Sequence, residues 1–316
     1  MSSNPLVTIV TPSFNQAKYL EETLRSVALQ AYRPIQHIVR DGASTDGSVD
    51  ILKRCATEFQ SPDYSLDWVS EKDGGFADAL GKGFLRAQGK IVGWLNSDDV
   101  YFDRYTVAQA VDELARHSEV DVVFGDVALI SEDSGLRMVW CFPKFNYKRV
   151  LRNYILPQPT VFMRKSVVEE HPLDPRFSVA LDHLYWLQIG RKHKFRHLGR
   201  VQAADRDHGN RMTRAKLLTS QSEGTRLLEA YGDGYRPTSI DRYYDLAVKI
   251  LLRFKGAMHL ARILARRNLD EELAFSMWLD GSLRLFRRQF TMRIGSRPDL
   301  GPKPVSAASP LLRNHS

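Results

Sequence analysis

The sequence predicts an α/β protein on a mostly parallel sheet flanked by helices, with a helical extension at its C-terminal end. Three observations predict it. Short β-branched apolar runs alternate with helically spaced apolar residues over the first hundred positions. Each of those runs ends in a polar cluster. After about residue 215 helical spacing continues without strand-like runs. Strand–helix alternation points to parallel pairing, because parallel neighbours need a crossover and a helix usually supplies it.

Residues 6–10 read as a buried strand, followed by the loop Thr11-Pro12-Ser13-Phe14-Asn15. Leu20, Leu24, Val27 and Ala28 then recur at helical spacing, with Glu21 and Glu22 early in the helix, where its dipole favours acids. A second strand over 35–39 ends in Asp41-Gly42-Ala43-Ser44-Thr45-Asp46-Gly47, and a helix through Ile51, Leu52 and Cys55 follows. A third strand, 66–70, leads through Glu71-Lys72-Asp73-Gly74-Gly75 into a helix over 76–87. The fourth strand, 91–95, ends at Asn96-Ser97-Asp98-Asp99. Further strands are expected at 120–124, 136–142 and 158–164, a helix at 180–190, a short strand at 195–198 and a polar loop over 204–214. Helices are expected over 216–231, 243–264 and 271–290. Gly, Ser and Pro dominate beyond residue 294, which predicts a disordered tail over 295–316. The expected division is a catalytic domain over 1–215 and a helical extension over 216–294.

The 316 residues, 43% hydrophobic and 26% charged, exclude a disordered, collagenous or disulfide-scaffold chain. Two cysteines, Cys55 and Cys141, suit buried free thiols in a reducing compartment. The start of the chain lacks a signal-peptide pattern and no run approaches 18 apolar residues, so a cytoplasmic location is expected. The net charge of +8 invites an acidic partner. It is unevenly spread: residues 1–180 hold 20 Lys+Arg and 24 Asp+Glu, the remainder 25 and 13.

Ligands of parallel sheets bind outside the carboxyl ends of the strands. Four polar clusters at that edge therefore predict a cleft. Adjacent carboxylates at Asp98 and Asp99 repel each other, and a divalent cation, Mg²⁺ or Mn²⁺, relieves the repulsion. The sequence lacks Gly-x-x-x-x-Gly-Lys-Ser/Thr, and Thr11 to Asn15 does not fit Gly-x-Gly-x-x-Gly, which argues against a P-loop and a dinucleotide fold.

The blocks Thr11 to Asn15, Asp41 to Gly47, Ser70 to Gly75 and Trp94 to Asp99 together resemble glycosyltransferase family 2, nucleotide-sugar-dependent enzymes of the GT-A fold. With Gln158 to Arg164 and Leu181-Asp182, the resemblance covers residues 5–215. It implies inverting transfer from a UDP-, GDP- or dTDP-sugar to a glycan or lipid-linked hydroxyl. Pro12, Ser13, Asn15 and Asp41 would line the nucleoside pocket, Lys72 and Asp73 face the donor, and Asp98 lie near the ribose or sugar. Asp99 would hold the metal, His208 would sit by the metal or diphosphate, and Asp182 would be the general base. The chain departs from the family pattern at Asn96, where an acid is common, and at Leu181 and Gly81.

Residue by residue, Asp46 suits a turn-holding role, Trp94 suits the core, Trp186 the core or a stack on an acceptor sugar, and Arg164 either an acceptor or phosphate contact or a surface ion pair. Sugar-nucleotide synthesis would need a glycine-rich basic first loop, which Thr11 to Asn15 is not. Nucleic-acid binding conflicts with an Asp-rich cleft. The basic C-terminal helices fit two readings, contact with an anionic membrane or a solvated cap.

Overall fold

The computed structural model describes residues 4–152, 156–174, 177, 180–209, 211, 223, 225–227, 229–265, 277–278 and 293–294. In chain order its elements are β1 (Val7–Ser13), α1 (Ala17–Ala28), β2 (Ile35–Asp41), α2 (Ser48–Phe59), β3 (Tyr64–Ser70), α3 (Phe76–Leu85), β4 (Ile91–Trp94), β5 (Val100–Tyr101) and α4 (Thr106–Arg116). Then come β6 (Val122–Ser131), β7 (Leu136–Trp140), α5 (Tyr147–Leu151), a 3₁₀ turn (Gln158–Thr160), β8 (Phe162–Arg164), α6 (Lys165–Glu170), α7 (Leu181–Gly190) and β9 (Phe195–Asp207). The last are α8 (Ser239–Ala265), β10 (Met277–Trp278) and β11 (Arg293–Ile294).

The main sheet has the order β3-β2-β1-β4-β8-β6-β9-β5, with β7 on β6. From β3 to β4 every pairing is parallel. Beyond Trp94 the sheet is mixed: β8 lies antiparallel between β4 and β6, and β9 is parallel to β6 but antiparallel to β5. Ser13 pairs with Asp41 and Asp41 with Ser70, so three polar side chains end three neighbouring strands in one row.

Two apolar clusters lie on the two faces. One joins α3 and α7 through Leu80, Phe84, Trp94 and Trp186. The other joins α1, α2 and α4 through Leu20, Leu24, Leu52 and Val107. Each large apolar side chain fully buried there contributes roughly 1.5–3 kcal/mol. Trp94 and Trp186 are both buried, their rings 6.4 Å apart, in keeping with core roles. Gly83 lets α3 approach the sheet, since a Cβ there would lie 2.3 Å from Val10 Cγ1. Inside the parallel half, His37 sits between Thr11 Oγ1 (3.0 Å) and Tyr64 Oη (3.1 Å), and burial pushes its pKa down to about 3, keeping it neutral.

Several elements depart from the sequence reading. The short strand expected at 195–198 runs on to Asp207, through the first part of the expected loop. Its outer residues look loop-like because they are charged, but Arg206 is buried against Glu22 and Ser134 and Asp205 pairs with Arg211. The strand expected at 120–124 extends to Ser131. Met277–Trp278 falls inside the helix expected over 271–290 and is instead paired antiparallel with Arg293–Ile294, a long-range pairing that helical spacing does not reveal. Most of the helix expected over 216–231, and the tail over 295–316, lie outside the described residues; 225–227 and 229–231 are helical. The helix expected over 243–264 lies within α8. Arg164 takes neither expected role. It donates to the carbonyls of Leu114 (2.7 Å), His117 (3.2 Å) and Val120 (2.8 Å), closing the end of α4.

Candidate active site

The carboxyl edge of β1 to β4 gathers most of the residues singled out in the sequence. Asp41, ending β2, accepts from Ser44 N (2.9 Å) and Ser70 Oγ (2.6 Å). Asn15 takes a positive φ of 52°, which turns the chain after β1. Its backbone N–H donates to Ser44 Oγ (2.8 Å), and its Oδ1 accepts from Thr45 N (2.9 Å). These bonds join the loops after β1, β2 and β3 into one wall. Asp46 braces it from below, accepting from Ala17 N (2.9 Å) and Ser48 N (3.1 Å), the turn-holding arrangement.

Ser13 Oγ is buried at this edge with no partner in the described structure, as is Arg40 Nη1. A buried hydroxyl without a partner is costly, and a bound polar ligand would relieve it. Phe14 is 61% exposed on the same loop, and a Cβ on Gly42 would lie 3.2 Å from its ring and 3.1 Å from Asp73 Oδ2. Asp73 thus closes on the same wall. Its Oδ1 holds Gly75 N (2.8 Å), where a φ of 103° favours glycine. Lys72 stays exposed and is not drawn into this group.

The loop after β4 supplies the acidic centre. Asp98 Oδ2 faces His208 Nε2 at 2.9 Å, and the backbone carbonyl of Asp98 accepts from Arg206 Nε (2.9 Å). Asp99 is buried and accepts from Arg206 N (3.1 Å). Burial, then Asp98 and Asp205, hold the Asp99 carboxyl well above its usual range. Asp205 is likewise raised, first by burial, although Arg211 at 2.7 Å opposes the shift. The charges of Asp98, Asp99 and Asp205 act on one another, a repulsion that a cation would relieve. Asn96 contributes differently from a metal-motif acid: its Oδ1 is occupied by Trp94 Nε1 at 2.9 Å.

Arg206 locks this centre in place. It is fully buried, donates to Glu22 Oε2 (2.7 Å) and Ser134 Oγ (2.6 Å), and lies 4.9 Å from the centre of the Tyr19 ring. His208, with Nε2 on Asp98, packs on the same ring at 4.8 Å. A metal-ligand role for His208 therefore needs Nδ1, or opening of its bond to Asp98.

Asp182 stands in the first turn of α7, where its Oδ1 accepts from His183 N (2.8 Å). Burial raises its pKa from 3.8 to about 6, with a smaller contribution from the charge of Asp205. Glu223 secures the turn before Asp182, accepting from Ala180 N at 2.8 Å.

Sequence reading passed over Phe14, Arg206, Asp205 and Arg211. An apolar side chain in a turn loop was a usable signal for the first. Asp205 and Arg206 sit in a strand that reads as a loop, and Arg211 lies four residues beyond its end.

The sequence profile described as "Glycosyl transferase family 2" matches residues 8–218, which is two-thirds of the chain. The chain belongs to glycosyltransferase family 2. It is a glycosyltransferase with a nucleotide-sugar donor, the activity that defines the family. The chain is 39% identical over 194 residues to an uncharacterized glycosyltransferase of Mycobacterium tuberculosis, spanning 60% of this chain and 70% of the relative. It is 28% identical over 191 residues to TuaG of Bacillus subtilis, named a putative teichuronic acid biosynthesis glycosyltransferase (60% and 73%). Among solved structures, a mannosyltransferase of Pyrobaculum calidifontis in complex with GDP-Man and Mn²⁺ aligns with TM-score 0.57 and 23% identity, over 75% of this chain and 67% of that one. TarS of S. aureus in complex with UDP-GlcNAc aligns with TM-score 0.55 and 16% identity, over 79% and 72%. These likenesses establish the GT-A-like fold.

Proposed function

We propose that this glycosyltransferase transfers its sugar with inversion, to a glycan or lipid-linked hydroxyl, using Asp182 as general base and a divalent cation at Asp99. The observation that carries the reading is Asp182 itself. It is a carboxyl in the first turn of α7, raised by burial to about 6, with the charge of Asp205 acting in the same direction. Near neutral pH it is ionised yet basic enough to take a proton from an alcohol as the new bond forms.

The nucleoside of a UDP-, GDP- or dTDP-sugar belongs in the wall of Pro12, Ser13, Asn15 and Asp41. Ser13 Oγ gains the partner it lacks, and exposed Phe14 offers a stacking face. Asp73 and Lys72 border the donor, and Asp98 orients ribose or sugar. The crowded acidic centre fits Mn²⁺ or Mg²⁺ held by Asp99, with His208 beside it. When bound, the cation supplies a Lewis acid that neutralises charge on the departing diphosphate. A single base and no second nucleophilic carboxylate assigned to the sugar correspond to direct displacement and inversion, by analogy with inverting glycosidases.

The likeness to TuaG supports a cell-envelope polysaccharide as the product class. We place the catalytic domain at residues 1–215, with the following helices as an extension, in the cytoplasm. Among the described residues no helix is long and apolar enough to cross a membrane, so work on a lipid-linked acceptor requires contact from one side. Proton NMR of donor turnover, with water or a simple sugar as acceptor, tests the stereochemistry. The first product should have the anomeric configuration opposite to the donor's. Retention would overturn the displacement mechanism.

A further inference from the structure

Asp126 is a fully buried carboxylate in the middle of β6. A buried charge is costly unless its oxygens are paired and hydrogen-bonded. One of the two is well served: Oδ1 accepts from Phe142 N (2.8 Å) and from His197 Nε2 on β9 (3.0 Å). Oδ2 is buried with no hydrogen-bond partner among the described residues. Lys255 Nζ stands 3.7 Å from it, too far for a hydrogen bond.

Two further donors converge on this carboxylate. β6 and β7 pair Val127 with Trp140, so Cys141, one step on, comes to lie against Asp126. Cys141 is a buried free thiol. α8 packs over it, with Leu252 and Leu260 on the apolar cluster of Leu136, Val139 and Cys141. Gly256 admits the helix there, since a Cβ would stand 2.1 Å from the Val139 carbonyl oxygen. At about 100° per residue His259 falls within about 20° of Leu252, on this sheet-facing side. One donor atom each from Asp126, Cys141 and His259 consequently lie within 4.8 Å of one another.

We propose that Asp126, Cys141 and His259 bind a Zn²⁺ ion that ties α8 to the sheet. Thiolate and imidazole select zinc over Mg²⁺ and Mn²⁺, which prefer oxygen, so this site differs in kind from the acidic centre at Asp98 and Asp99. Tetrahedral zinc needs its donors about 3.4–3.6 Å apart, and shifts of about 1 Å close the group to that spacing. The ion gives Oδ2 the partner it lacks, while Oδ1 keeps the bonds to His197 and Phe142 N that orient a ligating carboxylate. Cys141 releases its proton to solvent on binding, and the two anionic ligands then balance the charge of the ion. Lys255 opposes the cation. Its side chain is 42% exposed, and rotation carries the ammonium into water. The three ligands come from β6, from the residue after β7 and from α8, far apart in sequence, so a bound ion acts as a cross-link of the folded state and stabilises it by mass action.

The test is a titration of the full chain, stripped of metal by a chelator, with Co²⁺ and then with competing Zn²⁺. Co²⁺ should produce a near-ultraviolet thiolate-to-cobalt absorption band, and Zn²⁺ should bleach it. Cys141→Ser should lose the band. His259→Gln should weaken metal binding by at least about a hundredfold, the upper end of what loss of an outer-shell group costs. Asp99→Asn should keep the band, which separates this site from the acidic centre. Lys255→Gln removes the opposing charge and should tighten zinc binding by about tenfold. Circular dichroism of each metal-free variant checks the fold, and half-buried His259 and Lys255 keep the test open if Cys141→Ser does not fold. No band in the wild type, a band that survives Cys141→Ser, equal affinity in His259→Gln or looser binding in Lys255→Gln would overturn the inference. None of these readouts depends on sugar transfer.

Discussion

Replacing Asp182 with Asn should remove activity while making the protein more stable, and the two effects have one origin. The folded state holds the Asp182 proton more tightly than the unfolded chain, because burial raises its carboxyl from 3.8 to about 6. Below pH of about 4 the group is protonated in both states and costs nothing. Between about 4 and 6 the unfolded chain releases the proton first, so stability falls as pH rises; above about 6 the loss is complete. Its size is about 3 kcal/mol, at 1.36 kcal/mol per tenfold change in acidity. Asparagine keeps the acceptor oxygen for His183 N and never ionises, so the variant should melt several degrees above wild type at pH 7.5 and with it at pH 4. Turnover should fall by about 10²–10⁴ with the donor dissociation constant unchanged. Wild-type turnover should rise through pH of about 6 to a plateau. The assays are differential scanning calorimetry at the two pH values, donor binding by calorimetry, and release of nucleotide diphosphate. Wild-type turnover in the variant, or a lower midpoint at pH 7.5, would refute the reasoning.

Three further perturbations separate binding, bracing and packing. Phe14→Ala should weaken donor binding by about tenfold or more, in line with base–aromatic stacking of roughly 1–3 kcal/mol, and should leave the melting midpoint unchanged because Phe14 is exposed; titration with nucleotide alone reads this out. Arg206→Ala takes the guanidinium from Glu22 and Ser134, which keep only their bond to each other, and should cost about 3–5 kcal/mol by urea unfolding. Gly83→Ala drives a methyl into Val10 and should destabilise by about 1–3 kcal/mol in the same assay, with donor affinity retained in the folded fraction.

The parallel half of the fold was legible because each strand there is a short β-branched run and each loop a burst of turn residues. Periodicity and turn chemistry agree at Val7–Ser13, Ile35–Asp41 and Ile91–Trp94. Beyond Trp94 the cues conflict. β5 has two residues, and β8 three, too few for any period. β6 carries Asp126 in its middle, a buried acid that looks wrong for a strand until His197 appears 3.0 Å away on β9. β9 ends in Asp205, Arg206 and Asp207: Arg206 is buried against Glu22 and Ser134, Asp207 pairs with Arg137, all far away in sequence, and Asp205 pairs with Arg211. The same asymmetry marks the site. Ser13, Asp41, Asp98 and Asp99 close or follow strands and stand out in the sequence. Asp205 and Arg211 complete the acidic centre from a segment that reads as loop. Lys72, which the family resemblance sets beside Asp73 facing the donor, is exposed.

The most direct test of the account is thermal shift with UDP-, GDP- and dTDP-sugars, with and without Mn²⁺, on the wild type and on Asp99→Asn. A ligand bound only to the folded state stabilises by mass action, about 2.7 kcal/mol at a hundred times its dissociation constant. The account predicts that one donor class raises the wild-type midpoint strongly with Mn²⁺ and weakly without it, and that Asp99→Asn abolishes the metal-dependent part. A wild type that no donor stabilises with Mn²⁺, or an Asp99→Asn variant that keeps the full metal-dependent shift, would contradict it.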